Sequence, residues 1–239
     1  MFSVFKRELR SLFCGYRGYT FVAIFAVCFC VVRMVYNYML LYDVIYGFIN
    51  HEAILVFLPV AVAMAIPVLT FSMYESERKK DVMSFLRSLP LRSGDVIFGK
   101  YLSRLVVLVG VYIVTVLIDI ILGFYSGSHI LTVVYSSVCY LLISVCVLSV
   151  NVFLASVCKN RFVALGIGYG VAVILTVLTA LRYFVPHTLL EIMTPISLFG
   201  TYVSAVFGMV DIASLFMWLT VSGLFIYLSY IFVKKEIRL

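Results

Sequence analysis

The chain has 239 residues, of which 64% are hydrophobic and 12% charged, with a formal net charge of +7. Soluble domains carry about 45–50% apolar and about 25% charged residues, so this balance excludes an ordinary water-soluble fold and makes lipid the main solvent. The basic residues flank apolar runs, which is a topology signal and argues against nucleic acid as a partner.

Residues 1–18 open the chain. Phe2, Phe5, Leu9, Leu12 and Phe13 recur at helical spacing while Lys6, Arg7 and Arg10 take the other face. This predicts an amphipathic helix in the membrane interface. The apolar run that follows has full span length and no small-residue cleavage site after it, so the segment reads as retained and not as a cleaved signal.

A hydrocarbon layer about 30 Å thick needs roughly 20 apolar residues of helix. Six runs qualify: Tyr19–Leu41, Ala53–Tyr74, Tyr101–Phe124, Ile130–Val157, Phe162–Val185 and Ile212–Val233. The expected fold is an all-α integral membrane protein with six transmembrane helices in one domain, 1–239. Arg33 interrupts the first run about 20 Å along the helix from Tyr19 and reads as snorkelling to the outer interface. Asp119 in the third run lies at a comparable depth, and the alternative is an Arg33–Asp119 pair lining a pathway, since charges inside the membrane tend to face bundle interiors.

All but two of the 18 basic residues, Arg33 and Arg182, fall before the first span, around the second and fourth connections, or at the C-terminus. The positive-inside rule then puts both termini in the cytoplasm and makes the span number even, as for a multi-pass protein of the plasma (inner) membrane. His51, His129 and His187 fall on three separate external loops without ligand spacing, so no metal site is expected. The six cysteines read as small apolar packing residues and not as a disulfide framework. Gly166-Ile-Gly-Tyr-Gly170 in the fifth span reads as small residues that let helices approach. No repeat relates the two halves of the chain, so a symmetric pathway would need a second copy or a paralogue.

The second connection, 75–97, is the longest cytoplasmic stretch. Val82, Phe85, Leu86 and Leu89 fall at i, i+3, i+4 and i+7, Lys79, Lys80 and Arg87 stay polar, and Pro90 stops the helix. Ser93 and Asp95 supply capping chemistry for the next helix. A short rigid helix with an apolar face, held under the membrane by two spans, could dock in a partner's groove and pass on a movement.

Glu75 to Glu77, then Val82-Met-Ser-Phe-Leu-Arg-Ser-Leu-Pro90, then Val96-Ile-Phe-Gly-Lys100 resemble the hallmark of ABC-2 type permeases. In that family this element contacts a separate ATPase. The resemblance implies that Glu75, Val82, Phe85, Leu86, Leu89 and Pro90 couple the chain to two cytosolic ATPase subunits, with ATP and Mg held by those partners. Leu190-Glu-Ile-Met-Thr-Pro-Ile-Ser-Leu-Phe199, Phe207-Gly-Met-Val-Asp211 and the last span are similar to permeases of the gliding-motility type, which implies short re-entrant helices within 186–211 before the last span. Apolar stretches split by Pro195 and Gly200 agree, being too short to cross and too apolar for a solvated loop.

The function implied is the permease half of an exporter, paired with a second permease and moving an amphipathic or lipid-like substrate such as a peptide, drug or lipid. No Gly-rich phosphate loop is present, so the chain itself is not read as an enzyme. The rivals are a stand-alone carrier or channel, which would more often show repeats or polar midspan breaks, and a membrane enzyme, which would need clustered catalytic groups at one depth.

Overall fold

The computed structural model describes residues 2–46, 55–74, 93–126, 130–181, 198–209 and 211–238. Within them the regular structure is helical: α1 Phe2–Cys14, α2 Tyr16–Tyr46, α3 Leu58–Thr70, α4 Ser93–Ser126, α5 Ile130–Val157, α6 Arg161–Leu181, α7 Leu198–Val206 and α8 Ile212–Arg238. Five of these, α2, α4, α5, α6 and α8, are long and apolar enough to cross a membrane. The chain is an all-helical, multi-pass membrane protein.

The second expected span, Ala53–Tyr74, differs from a plain membrane helix. Its regular part, α3, has 13 residues, about 20 Å of helix against a hydrocarbon core of about 30 Å. Two prolines account for this. Pro59 lies in the first turn, where a missing N–H is harmless, whereas Pro67 lies inside and withdraws the donor that the Ala63 carbonyl would have accepted. Beyond Thr70 the backbone tightens into turns, with Phe71 N–H donating to the Pro67 carbonyl at 3.0 Å and Met73 N–H to the Thr70 carbonyl at 3.0 Å. α3 is apolar and buried on nearly every side, as an all-round hydrophobic helix must be. It packs against α2, α5 and α6.

α5 is the hub, touched by α3, α4, α6, α7 and α8. Its small residues permit close approach, and its serine and asparagine side chains find acceptors within their own helix. Ser136, Ser144 and Ser156 donate to carbonyls of their own helix at 3.0, 2.5 and 2.7 Å, and the Asn151 amide donates to the Val147 carbonyl at 3.0 Å. Polar atoms are thereby satisfied without water. Against α8, the Phe153 and Phe225 rings meet tilted at 53° with centroids 5.5 Å apart.

Of the three glycines in 166–170, one does what the sequence suggests. A Cβ on Gly168 would lie 2.7 Å from Asn151 Oδ1 and 3.0 Å from Pro67 Cβ, whereas Gly166 and Gly170 have nothing within 4 Å. Gly168 therefore lets α6 approach α3 at Pro67 and α5 at Asn151. α7 is a nine-residue helix with Phe199, Tyr202, Val203, Ala205 and Val206 buried. Gly208, at φ 77°, ends it in a left-handed turn, with the Gly208 and Met209 N–H groups donating to the Ala205 and Ser204 carbonyls at 3.1 Å each. Asp211 then caps α8 by accepting from the Ala213 N–H at 3.1 Å and from the Ser214 hydroxyl.

Candidate functional site

The residues expected to couple to an ATPase, Glu75, Val82, Phe85, Leu86, Leu89 and Pro90, lie outside the described residues, as do His51, His129 and His187. What is described is the pair of stems between which the second connection hangs: the turn at 71–74 and the start of α4.

Those stems are tied together. Lys100 is wholly buried, and its Nζ donates to the Met73 carbonyl at 2.5 Å and lies 4.8 Å from the centre of the Tyr74 ring. An ammonium drawn from water needs such partners. The Gly-Lys that precedes the third span is thus a fastener, and each half has a separate task. Gly99 admits α1: a Cβ there would lie 3.1 Å from Val4 Cγ1 and 3.3 Å from the Phe5 nitrogen.

One turn further along α4, Arg104 Nη1 donates to Glu8 Oε2 at 2.9 Å, to the Ser103 hydroxyl at 2.8 Å and to the Lys100 carbonyl at 3.2 Å. The pair is buried, with side-chain exposures of 3% for Arg104 and 13% for Glu8. Burial pushes the Glu8 carboxyl up, but the Lys100 and Arg104 charges, the Arg104 hydrogen bond and Arg7 more than reverse this, holding it below the ordinary carboxylate range. α1 is therefore riveted to α4 by an ion pair inside an apolar contact.

This corrects the expected face of α1. Val4 and Leu12 are buried with Glu8 between them, whereas Phe13 is exposed. The buried line is 4, 8, 12, and the acid lies on it. Glu8 was not singled out from the sequence, although a lone carboxylate on the inward side of a basic helix was the available signal.

The second arrangement lies deeper. Counted from Arg17 on α2 and Arg104 on α4, Arg33 and Asp119 are each on the order of 22–24 Å along their helices. They meet as a salt bridge, with side-chain exposures of 14% and 2%. Independent snorkelling of Arg33 is thus not what the structure shows. Phe21, Phe25, Phe29 and Arg33 form one stripe at four-residue spacing, with successive ring centroids 6.5 and 6.1 Å apart and the guanidinium 5.1 Å from the Phe29 centroid. Aromatic faces and a carboxylate together hold a cation that lipid would reject.

Nearby in the bundle is a group of hydroxyl side chains, of which those of Thr115, Tyr140 and Tyr202 are buried. The Tyr112 and Tyr140 rings are tilted with centroids 5.9 Å apart, the Thr115 hydroxyl donates to the Tyr112 carbonyl at 2.8 Å, and Tyr202 of α7 is buried in the same core. Among the described residues the Tyr202 hydroxyl and the Trp218 indole N–H are buried without a hydrogen-bond partner. No group of three His, Cys, Asp or Glu placed to hold a metal ion occurs among the described residues.

A family model described as ABC-2 family transporter protein matches residues 5–235. No curated protein matches the chain. The match runs from the helix that carries Glu8 to the last turns of α8, across the spans, the tied stems and the buried ion pair, and so covers nearly the whole chain. The chain belongs to the ABC-2 transporter family, as a multi-pass membrane permease.

Proposed function

We propose that the chain is the permease half of an ATP-driven ABC exporter of the plasma (inner) membrane, with six spans, both termini cytoplasmic, and the second span built around α3. It pairs with a second copy or a paralogue and binds two cytosolic ATPase subunits, which hold ATP and Mg, through Glu75, Val82, Phe85, Leu86, Leu89 and Pro90. Residues 1–18 form the interface helix, and 186–211, including α7, is re-entrant from outside. The substrate is amphipathic or lipid-like.

The observation that carries this reading is the fastening of both stems of the second connection by Lys100, within a chain matched over 5–235 to the family. Closure of the ATPases moves the connection, and tied stems pass that motion to α3 and α4 together. α1 travels with α4 through Glu8 and Arg104. α3, flanked by turns at 56–57 and 71–74 and carrying Pro67 inside, is the element on which the bundle can rearrange. Few fixed charges line the helices, which favours an amphipathic cargo over an ion.

The test is co-purification of the chain, tagged at its C-terminus, from cells expressing its native neighbours, with mass spectrometry of what remains bound. A stoichiometric ATPase is expected, and Leu86→Asp or Leu89→Asp should release it while membrane insertion is unchanged. Repeated recovery of the chain alone, or normal ATPase retention by both variants, would move the assignment to a carrier or an enzyme.

A further inference from the structure

α1 has an outward face as well as an inward one. Lys6, Arg7, Arg10, Ser11 and Cys14 line an open cavity of about 560 Å³, within the range of small-ligand sites, about 300–1,000 Å³. These positions form one stripe of the helix. Three cations and a hydroxyl converge there, and no carboxylate is among these lining residues. The one acid of α1, Glu8, is turned to the other side, 2.9 Å from Arg104 and 3.7 Å from Arg7.

The level of the cavity is fixed by what adjoins it. α2 begins at Tyr16, directly after the turn that ends α1, and Tyr16 and Tyr19 are both exposed at the start of the apolar stretch Tyr16–Val35. Exposed tyrosines at the edge of an apolar helix mark the membrane–water boundary. Phe13, exposed beside Cys14, offers apolar surface next to the charged stripe.

We propose that this cavity binds the phosphate-bearing headgroup of an anionic phospholipid, with Lys6, Arg7 and Arg10 on the phosphate, Ser11 donating to it, and the acyl chains running past Phe13 toward α2. Guanidinium and ammonium groups at this level suit a phosphodiester. The adjoining apolar surface is why the occupant is a lipid and not free phosphate. Occupancy presses α1 onto α4 and so steadies the Glu8–Arg104 contact. The site does not depend on the ATPase partnership, so failure of that reading leaves it standing.

The full chain, delipidated in a neutral detergent, is given phosphatidylglycerol, phosphatidylcholine or inorganic phosphate, and retention is read by native mass spectrometry alongside thermal unfolding. Phosphatidylglycerol should be retained and should raise the unfolding temperature, with the other two without effect. Lys6→Gln with Arg10→Gln should weaken retention roughly thirty-fold, Lys6→Arg with Arg10→Lys should preserve it, and Lys159→Gln with Arg161→Gln, a basic pair elsewhere, should leave it unchanged. Equal retention of phosphatidylcholine, equal protection by inorganic phosphate, or equal loss in the Lys159 and Arg161 variant would each overturn the proposal.

Discussion

Glu8 shows how a single side chain can report on docking. Its folded carboxyl is held below the ordinary range, so its contribution to stability is complete above that range and disappears as pH falls through the lowered folded value. Glu8→Gln should cost about 1.5–3 kcal/mol at pH 7, as for a lost hydrogen bond to a charged group. The difference from the wild type should shrink on acidification below the ordinary glutamate value. No gap in unfolding temperature at pH 7 would mean that α1 is held by apolar contact alone, and a gap that stays constant down to pH 3 would mean that the ionised carboxylate is not its source. Arg33 and Asp119 invite a different comparison. Removing either partner strands a buried charge, at a cost of about 3–5 kcal/mol, whereas Arg33→Met with Asp119→Leu should recover most of that stability. Transport by the double variant then separates the roles: normal transport makes the pair structural, and lost transport in a stable protein assigns it to the pathway.

At the scale of the helix, apolar run length located the long elements well. α5 begins and ends where its run does, at Ile130 and Val157. The same measure overran the regular part of α3, because run length does not register the missing donor at Pro67. Depth along a helix also follows from counting, which put Arg33 and Asp119 level. Rotation about the helix axis does not follow from counting, and rotation decided that they meet. Lys100 looked like one more cation in a basic flank, since burial depends on the turn at 71–74 and on α1, both remote in sequence. Among the clustered glycines, the contrast is testable. Gly168→Leu should disrupt packing of α6 on α3 and lower the yield of folded protein severalfold, because its Cβ alone already meets Asn151 and Pro67, while Gly166→Leu should leave the isolated chain folded. Equal loss in both, measured by detergent-resistant size-exclusion profiles, would contradict that packing.

For the whole molecule, the proposed sides rest on the asymmetry of charge alone, and exposed positions at either end test them. Cys14 is exposed at the basic end, and Asp211 is exposed at the start of α8. In a background with the other cysteines replaced by alanine, an impermeant maleimide should label Cys14 only in inside-out vesicles. With Cys14 also replaced, Asp211→Cys should be labelled only in intact cells. The opposite pattern would invert the topology and put the tied stems on the outside, away from any cytosolic ATPase.

The acceptor that Lys100 finds on Met73 is main chain. No exchange of the side chain at position 73 removes that oxygen, so the contact is genetically one-sided: it can be broken by changing the lysine, while any residue that keeps the turn still offers the acceptor. A mutational scan of the two stems should therefore find intolerance at 100 without a mirrored intolerance at 73. Pairwise covariation would also miss the contact, although it joins the turn after α3 to the start of α4 across the second connection.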